Sequence, residues 1–138
     1  MGTKLLPKHL ILLVDDFPEQ IDDAALLLQD RGAQAAIALT AEDGISQARL
    51  MRPDVVVFDL ALPGIDGLRA AMIMRADPST RAIPLILNTR HTSAELEVLA
   101  RRAGFDAVVA KEAGAGVLLD VIEGLLTGEQ PMPAAGIH

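Results

Sequence analysis

Polar side chains follow four of the apolar segments that we expect to form strands. They are Asp15 and Asp16 after the first segment, Asp59 after the third, Thr89 after the fourth and Lys111 after the fifth. In a parallel sheet these residues share one edge, where three carboxylates repel one another unless a cation neutralises them. Oxygen ligands without Cys or His favour Mg²⁺. A cation beside an aspartate also makes that aspartate a plausible phosphoryl acceptor, with a hydroxyl and an ammonium to bind phosphoryl oxygens.

Each of these residues also has an ordinary structural explanation. Asp15 or Asp16 suits the N-cap of a helix, and a lone threonine at a strand end is commonly a turn residue. A lone lysine there is usually solvated, and Asp59 taken singly would be an acid in a loop. Because all five share one predicted edge and carry complementary charges, a functional site is favoured.

The segments that must position these residues alternate between strand-like and helix-like patterns. The strand-like segments are His9–Val14, Gln34–Leu39, Asp54–Phe58, Ile83–Leu87 and Ala107–Ala110. The stretch from Val55 to Phe58 is apolar throughout, which is typical of a parallel strand covered on both faces. The pattern predicts an α/β fold with one doubly wound, five-stranded parallel sheet, whose ligands bind at the carboxyl ends of the strands.

Apolar residues at helical spacing predict the helix faces that meet the core. The three clearest sets are Ile21, Ala24, Ala25 and Leu28, then Leu96, Leu99, Ala100 and Ala103, and then Leu118, Val121, Ile122 and Leu125. Each set ends shortly before a glycine, at positions 32, 104 and 128, as is common just past a helix C-terminus. Pro18 suits the first turn of the first helix.

Length and hydropathy indicate one domain with short tails. We expect an N-terminal tail over residues 1–8, a single domain over 9–127 and a flexible tail or linker stub over 128–138, because 138 residues suit one core. No apolar run approaches the roughly 20 residues of a membrane span, and no signal-peptide pattern is present. We therefore expect a cytoplasmic protein without membrane contact.

Composition argues against several other classes of protein. The chain has no cysteine, which excludes disulfides, thiolate metal sites and a cysteine nucleophile. A net charge of −7 without a basic run argues against direct nucleic-acid binding. The three histidines, at positions 9, 91 and 138, share no ligand spacing and so do not indicate a zinc site.

The segment 59–67, Asp-Leu-Ala-Leu-Pro-Gly-Ile-Asp-Gly, resembles the sequence around the phosphoacceptor in receiver domains of two-component response regulators. The resemblance runs over residues 9–126. It includes the acidic pair in 14–16, the fourth strand with its hydroxyl in 84–89 and the approach to the lysine in 104–111. It implies a flavodoxin-like, chemotaxis-regulator-like fold with strand order 2-1-3-4-5.

The resemblance also implies roles for individual residues. Asp59 would accept a phosphoryl group from a histidine kinase, a phosphotransfer protein or a small acyl phosphate, and Thr89 and Lys111 would bind the phosphoryl oxygens. The implied Mg²⁺ ligands are Asp15, which would bind through water, Asp16, Asp59 and the backbone carbonyl of Ala61. The domain would catalyse only its own phosphorylation and dephosphorylation, and would switch the binding of an output protein or domain in a phosphorelay.

Three positions depart from the family pattern. Val108 stands where an aromatic residue is usual, so a ring cannot swing inward behind the hydroxyl in the usual way. Glu112 replaces a proline that often follows a cis bond, and a cis bond costs about 3 kcal/mol without proline. Arg90 replaces a small residue after the hydroxyl; its side chain could narrow access to Asp59, bind phosphate or point outward, and we expect it to point outward.

These departures leave a second hypothesis open, namely a receiver-fold interaction module that signals without a phosphorylation-driven switch. The intact set of acids, threonine and lysine argues against it. A phosphatase similar to haloacid dehalogenases would need a second aspartate two residues after Asp59, where the chain has Ala61. A histidine phosphotransfer protein would need a helical bundle. A homodimer through the fourth or fifth helix stays open.

Overall fold

Parallel pairing joins five strands into one sheet in the computed structural model, which describes residues 8–128. The tails expected over 1–8 and 128–138 lie outside the described residues, apart from Lys8 and Gly128. The strands are β1 (Leu10–Val14), β2 (Gln34–Ala38), β3 (Val55–Phe58), β4 (Leu85–Thr89) and β5 (Ala107–Ala110). The helices are α1 (Pro18–Asp30), α2 (Ala41–Met51), α3 (Gly67–Ala76), α4 (Ala94–Ala103) and α5 (Ala115–Thr127). A single 3₁₀ turn, Lys111–Ala113, precedes α5.

The order of the strands across the sheet is β2-β1-β3-β4-β5, and every neighbouring pair is parallel. The predicted doubly wound sheet with order 2-1-3-4-5 is therefore confirmed. The order reverses between β1 and β3, so the loops that follow these two strands leave toward opposite faces and a crevice opens between them.

Two hydrophobic layers cover the sheet, one on each face. Alternate residues of β1 supply both: Leu12 and Val14 pack in the layer under α2, α3 and α4, while Ile11 and Leu13 pack in the layer under α1 and α5. All four residues of β3 are buried. The all-apolar sequence of this strand is explained, because neither of its faces meets water.

Local sequence signals set the ends of several helices. The Asp66 side chain accepts a hydrogen bond from the Arg69 N–H at 2.9 Å and so caps the start of α3. α4 ends at Gly104, whose φ of 116° is a left-handed conformation that glycine adopts without strain. The end of α4 agrees with the predicted stop before Gly104.

β1, β2 and β3 each differ from their predicted bounds by one residue, and two further differences are larger. β4 begins two residues later than predicted and ends at Thr89, because Pro84 has no N–H for the ladder and the Ile83 carbonyl accepts from Arg75 instead. Leu99, predicted to face the core, is 48% exposed. It lies at the margin of the apolar stripe of α4, whose close contact with the sheet is made by Ala100.

No helix within residues 8–128 is long and apolar enough to cross a membrane.

Candidate functional site

The carboxyl ends of β1 and β3 hold the predicted aspartates side by side. The Asp15 N–H donates to the Ala38 carbonyl, and the Asp59 N–H donates to the Val14 carbonyl, each at 3.0 Å. The parallel ladders thus continue one residue past each strand and fix both backbones. Asp15, Asp16 and Asp59 each offer a carboxylate oxygen within 4.8 Å of the others.

Lys111 joins this cluster from the end of β5. Its Nζ lies 2.7 Å from Asp15 Oδ2 and 3.4 Å from Asp59 Oδ2, and its side chain is only 5% exposed. Three carboxylates face one ammonium, so two negative charges remain uncompensated when all are ionised. That donor set suits a divalent cation with oxygen ligands.

Burial acts on the electrostatics of Asp59 in particular. Desolvation raises the pKa of its carboxyl group above the usual value, and the neighbouring charge of Asp15 raises it further. The Lys111 ammonium and the Leu60 N–H oppose this rise without cancelling it. The ionised form of Asp59 is therefore held at a cost, which a bound cation would relieve.

Hydrogen bonds in the loop after β3 fix the orientation of the Asp59 side chain. Asp59 Oδ1 accepts a hydrogen bond from the Leu60 N–H at 2.8 Å, and the Leu60 carbonyl accepts from the Gly67 N–H at 2.9 Å. A Cβ added at Gly67 would lie 2.4 Å from the Asp59 carbonyl oxygen. The structure thus shows that any side chain at position 67 would collide with the backbone of Asp59.

The other predicted site residues lie around this centre. Thr89 is buried as the last residue of β4, in register with Ala110, the residue before the lysine. Ala61 is exposed in the loop after Asp59, and the role of its carbonyl stays a prediction. Asp15, Asp16, Asp59 and Lys111 are thus brought together, with Thr89 on the strand between β3 and β5.

The departures at Val108 and Glu112 also have clear structures. Val108 is buried in the layer under α2, α3 and α4, so no ring occupies that position. Phe105 instead packs edge-to-face on Phe58, with ring centroids 6.3 Å apart. Within residues 8–128 no peptide bond is cis, so the bond between Lys111 and Glu112 is trans.

Arg90 is exposed, as expected, but its side chain is not simply solvated. Its Cζ lies 4.5 Å from the centroid of the Phe17 ring, and Lys111 Nζ lies 6.0 Å from the same centroid. Sequence reasoning missed Phe17, although an aromatic residue directly after the acidic pair was a usable signal. Its side chain is 45% exposed.

A cleft of about 150 Å³ opens at this edge. The charged part of its lining consists of Asp15, Asp23, Asp59 and Lys111. The cleft continues between α1 and α5, where Ile21 and Leu118 form part of its apolar wall. A small anion or a hydrated cation can therefore reach the acidic cluster from solvent.

Comparisons with known proteins agree with this geometry. The model of the response regulator receiver domain family matches residues 11–123. Protein PilH of Pseudomonas aeruginosa is 33% identical over 118 residues, which cover 86% of this chain and 98% of PilH. The DNA-binding response regulator MtrA of Mycolicibacterium smegmatis is 32% identical over 73% of this chain, but the match spans only 43% of MtrA.

Solved structures give the same result. A two-component response regulator of the LuxR family from an Aurantimonas species superposes with a TM-score of 0.83 at 30% identity, over 92% of this chain and 91% of that one. A CheY-like receiver domain protein from Methanospirillum hungatei superposes with a TM-score of 0.80 at 26% identity, over 88% and 95% of the two chains. This chain belongs to the response regulator receiver domain family.

Proposed function

We propose that this domain takes a phosphoryl group on Asp59 with the help of Mg²⁺, and that the phosphorylated form switches the binding of an output partner in a phosphorelay. The observation that carries the proposal is the buried Lys111 ammonium, which contacts Asp15 and Asp59 at once in a cluster of three carboxylates. A structural ion pair would need one acid for the lysine, whereas Lys111 contacts two and a third lies beside them.

The transfer step follows from the positions of these groups. A carboxylate oxygen of Asp59 attacks phosphorus and forms the acyl phosphate bond, while the bond to the donor breaks and its electron pair leaves with the donor. Mg²⁺ would supply charge neutralisation for the acceptor and the transferring group. Asp15, Asp16 and Asp59 would hold the cation, together with the Ala61 carbonyl. Lys111 and Thr89 would contact the phosphoryl oxygens.

The proposed donor and output are those expected of a receiver domain. A histidine kinase or a phosphotransfer protein would supply the phosphoryl group in the cytoplasm, and a small acyl phosphate would serve in its absence. The domain would catalyse only the formation and loss of its own aspartyl phosphate. Its output would be a protein or an attached domain, and not direct contact with nucleic acid.

Mass spectrometry tests the acceptor. Incubation with acetyl phosphate and Mg²⁺ should add about 80 Da, the mass of one phosphoryl group, to the wild type. Asp22→Asn, at an exposed position of α1, is the matched control and should gain the same mass. Asp59→Asn should gain none. An equal gain by Asp59→Asn would refute the assignment of the acceptor.

One observation favours a second candidate, the receiver-fold interaction module without a phosphorylation-driven switch. Val108 fills the position of the usual aromatic, so that route of transmission is missing. Beryllofluoride with Mg²⁺ mimics the phosphoryl group and separates the two functions. Amide chemical shifts that change across α4 and β5 support the switch, whereas binding with changes confined to the site residues supports the interaction module.

A further inference from the structure

Arg90 stands near the Asp59 site, next to the Phe17 ring. No carboxylate within residues 8–128 forms an ion pair with it. The guanidinium instead lies over the face of the Phe17 ring, with Cζ 4.5 Å from the ring centroid. An aromatic ring can hold a guanidinium in place without neutralising its charge or occupying its N–H groups in the guanidinium plane.

The Phe17 ring also ties this guanidinium to the reaction centre. The ring centroid is 6.0 Å from Lys111 Nζ, which itself contacts Asp59 at 3.4 Å. Arg90 directly follows Thr89, the buried end of β4. The loops after β1 and β4 therefore contact each other beside Lys111, through the Phe17 ring and the Arg90 guanidinium.

The charge balance of the site calls for a second cation once phosphate arrives. Lys111 is already engaged by Asp15 and Asp59. A divalent cation would neutralise the two charges left over by three carboxylates and one ammonium. A bound dianionic phosphodonor adds two further negative charges, and one of them remains after transfer, because the aspartyl phosphate dianion replaces the Asp59 carboxylate. The planar fork of an arginine matches phosphate oxygens in a bidentate way that a lysine cannot.

We propose that Arg90 is a phosphate-binding residue of this domain, kept ready on the Phe17 ring, which closes on the dianionic phosphodonor and then on the phosphoryl group of Asp59. The inference rests on the proposed phosphorylation of Asp59 and assigns to it a specificity-determining residue. The group that Arg90 binds is the phosphoryl group, which an acyl phosphate and a phosphohistidine have in common. The contact with the ring is weak at an exposed site, so the guanidinium can leave it when a phosphate competes.

With acetyl phosphate the step balances without a further reactant. The Asp59 carboxylate forms a bond to phosphorus, the bond from phosphorus to the acetyl oxygen breaks, and acetate leaves with the electron pair. Arg90 exchanges its contact with the ring for hydrogen bonds to phosphoryl oxygens and transfers no proton. Its contribution is attraction and orientation of the donor.

Phosphorylation rates test this role. Arg90→Gln should lower the second-order rate constant for acetyl phosphate, with Mg²⁺ in excess, by roughly two- to five-fold, as expected for one partly exposed charge contact. Arg102→Gln removes the same charge at an exposed position in the last turn of α4 and should leave the rate unchanged. A rate for Arg90→Gln that equals or exceeds the wild-type rate would overturn the proposal, and an excess would identify Arg90 as a steric barrier.

Nuclear magnetic resonance gives a readout that does not depend on turnover. The Arg90 Nε–H signal, assigned with Arg90→Lys, should carry a ring-current shift that disappears in Phe17→Leu. Beryllofluoride with Mg²⁺ should remove the same shift in the wild type as the guanidinium moves from the ring to the fluoride ligands. A signal that is unaffected by Phe17→Leu, or by bound beryllofluoride, would contradict the proposal.

The two proposals fail in different ways. If the wild type gains no phosphoryl mass and binds no beryllofluoride, the proposed function is wrong. If Asp59 is phosphorylated while Arg90→Gln reacts at the wild-type rate, the proposed function stands and the role of Arg90 is wrong.

Discussion

Charged residues lie at both edges of the sheet, the amino edge where the strands begin and the carboxyl edge where they end, but their surroundings differ. At the amino edge, Arg75 donates to the carbonyls of Gly104, Arg81 and Ile83 at 2.6–2.9 Å and to the Asp106 carboxylate at 3.0 Å. Asp106 also accepts from the Leu85 N–H at 2.9 Å. One arginine and one aspartate there form hydrogen bonds with each other and with the backbone groups around them.

The carboxyl edge leaves its charges unbalanced. Asp15 and Asp59 share the ammonium of Lys111, Asp16 adds a third carboxylate to the cluster, and burial raises the pKa of Asp59. Charged residues thus pair with one another and with the backbone at the amino edge, whereas at the carboxyl edge they leave negative charge that a cation would compensate. The comparison teaches that compensation of charge, rather than residue type, separates a structural cluster from a candidate site.

The largest difference between the edges should appear on removing Arg75. Arg75→Met leaves three carbonyls and the Asp106 carboxylate without their partner, and should lower the free energy of unfolding by about 3 kcal/mol. Urea denaturation measures this loss. Arg69→Met, at an exposed position of the same helix, should change stability by less than about 0.5 kcal/mol. A small loss for Arg75→Met would mean that the amino edge does not depend on this arginine.

Gly67→Ala should damage the carboxyl edge through the backbone. The new Cβ would lie 2.4 Å from the Asp59 carbonyl oxygen, so the start of α3 or the loop after Asp59 must move. We expect a loss of about 2 kcal/mol in stability and slower phosphorylation by acetyl phosphate. In the control Gly116→Ala, in the first turn of α5, the Cβ meets nothing within 4 Å, and stability should rise by about 0.5 kcal/mol. Equal effects of the two substitutions would refute the steric explanation.

The same substitution at each edge should have opposite signs. Without divalent cations at neutral pH, Asp59→Asn should raise the free energy of unfolding by about 1 kcal/mol, because it removes a desolvated charge beside Asp15. Asp106→Asn should lower it by about 1–2 kcal/mol, because it removes the charged partner of Arg75. Thermal unfolding of both variants beside the wild type measures the difference. If Asp59→Asn were destabilising, the acidic cluster would be a structural one.

The smallest expected effect is the pH dependence of the stability gained by Asp59→Asn. The pKa of Asp59 is raised in the folded state, so the folded protein binds more protons than the unfolded chain between the ordinary and the raised values. Stability contributed by this group is therefore present below the ordinary pKa and lost as pH rises through the raised one. The advantage of Asp59→Asn should shrink from about 1 kcal/mol at neutral pH to under about 0.5 kcal/mol near pH 4. Denaturation midpoints of the two proteins across this range test it, and a constant difference would contradict the raised pKa.

Much of the carboxyl edge was predictable from sequence because it depends on local order. Apolar runs followed by polar residues place Asp15, Asp59 and Lys111 at strand ends, and parallel pairing brings strand ends to one edge. The alternation of the segments also sufficed for the fold class. The start of β4 was predictable only in part. Pro84 is visible in the sequence, whereas the hydrogen bond from Arg75 to the Ile83 carbonyl comes from another element.

By itself, the sequence determined the α/β sheet, the acidic cluster and the absence of an aromatic ring at position 108. Only the tertiary structure decided how these charges are shared, since the contacts of Lys111 with Asp15 and Asp59 join residues 96 positions apart in one case and more than fifty in the other. The stacking of Arg90 on Phe17 was equally out of reach. Side-chain contacts between loops that are distant in sequence depend on how the strands beneath them pack. The periodicity of one segment carries no information about how close its side chains lie to those of another loop.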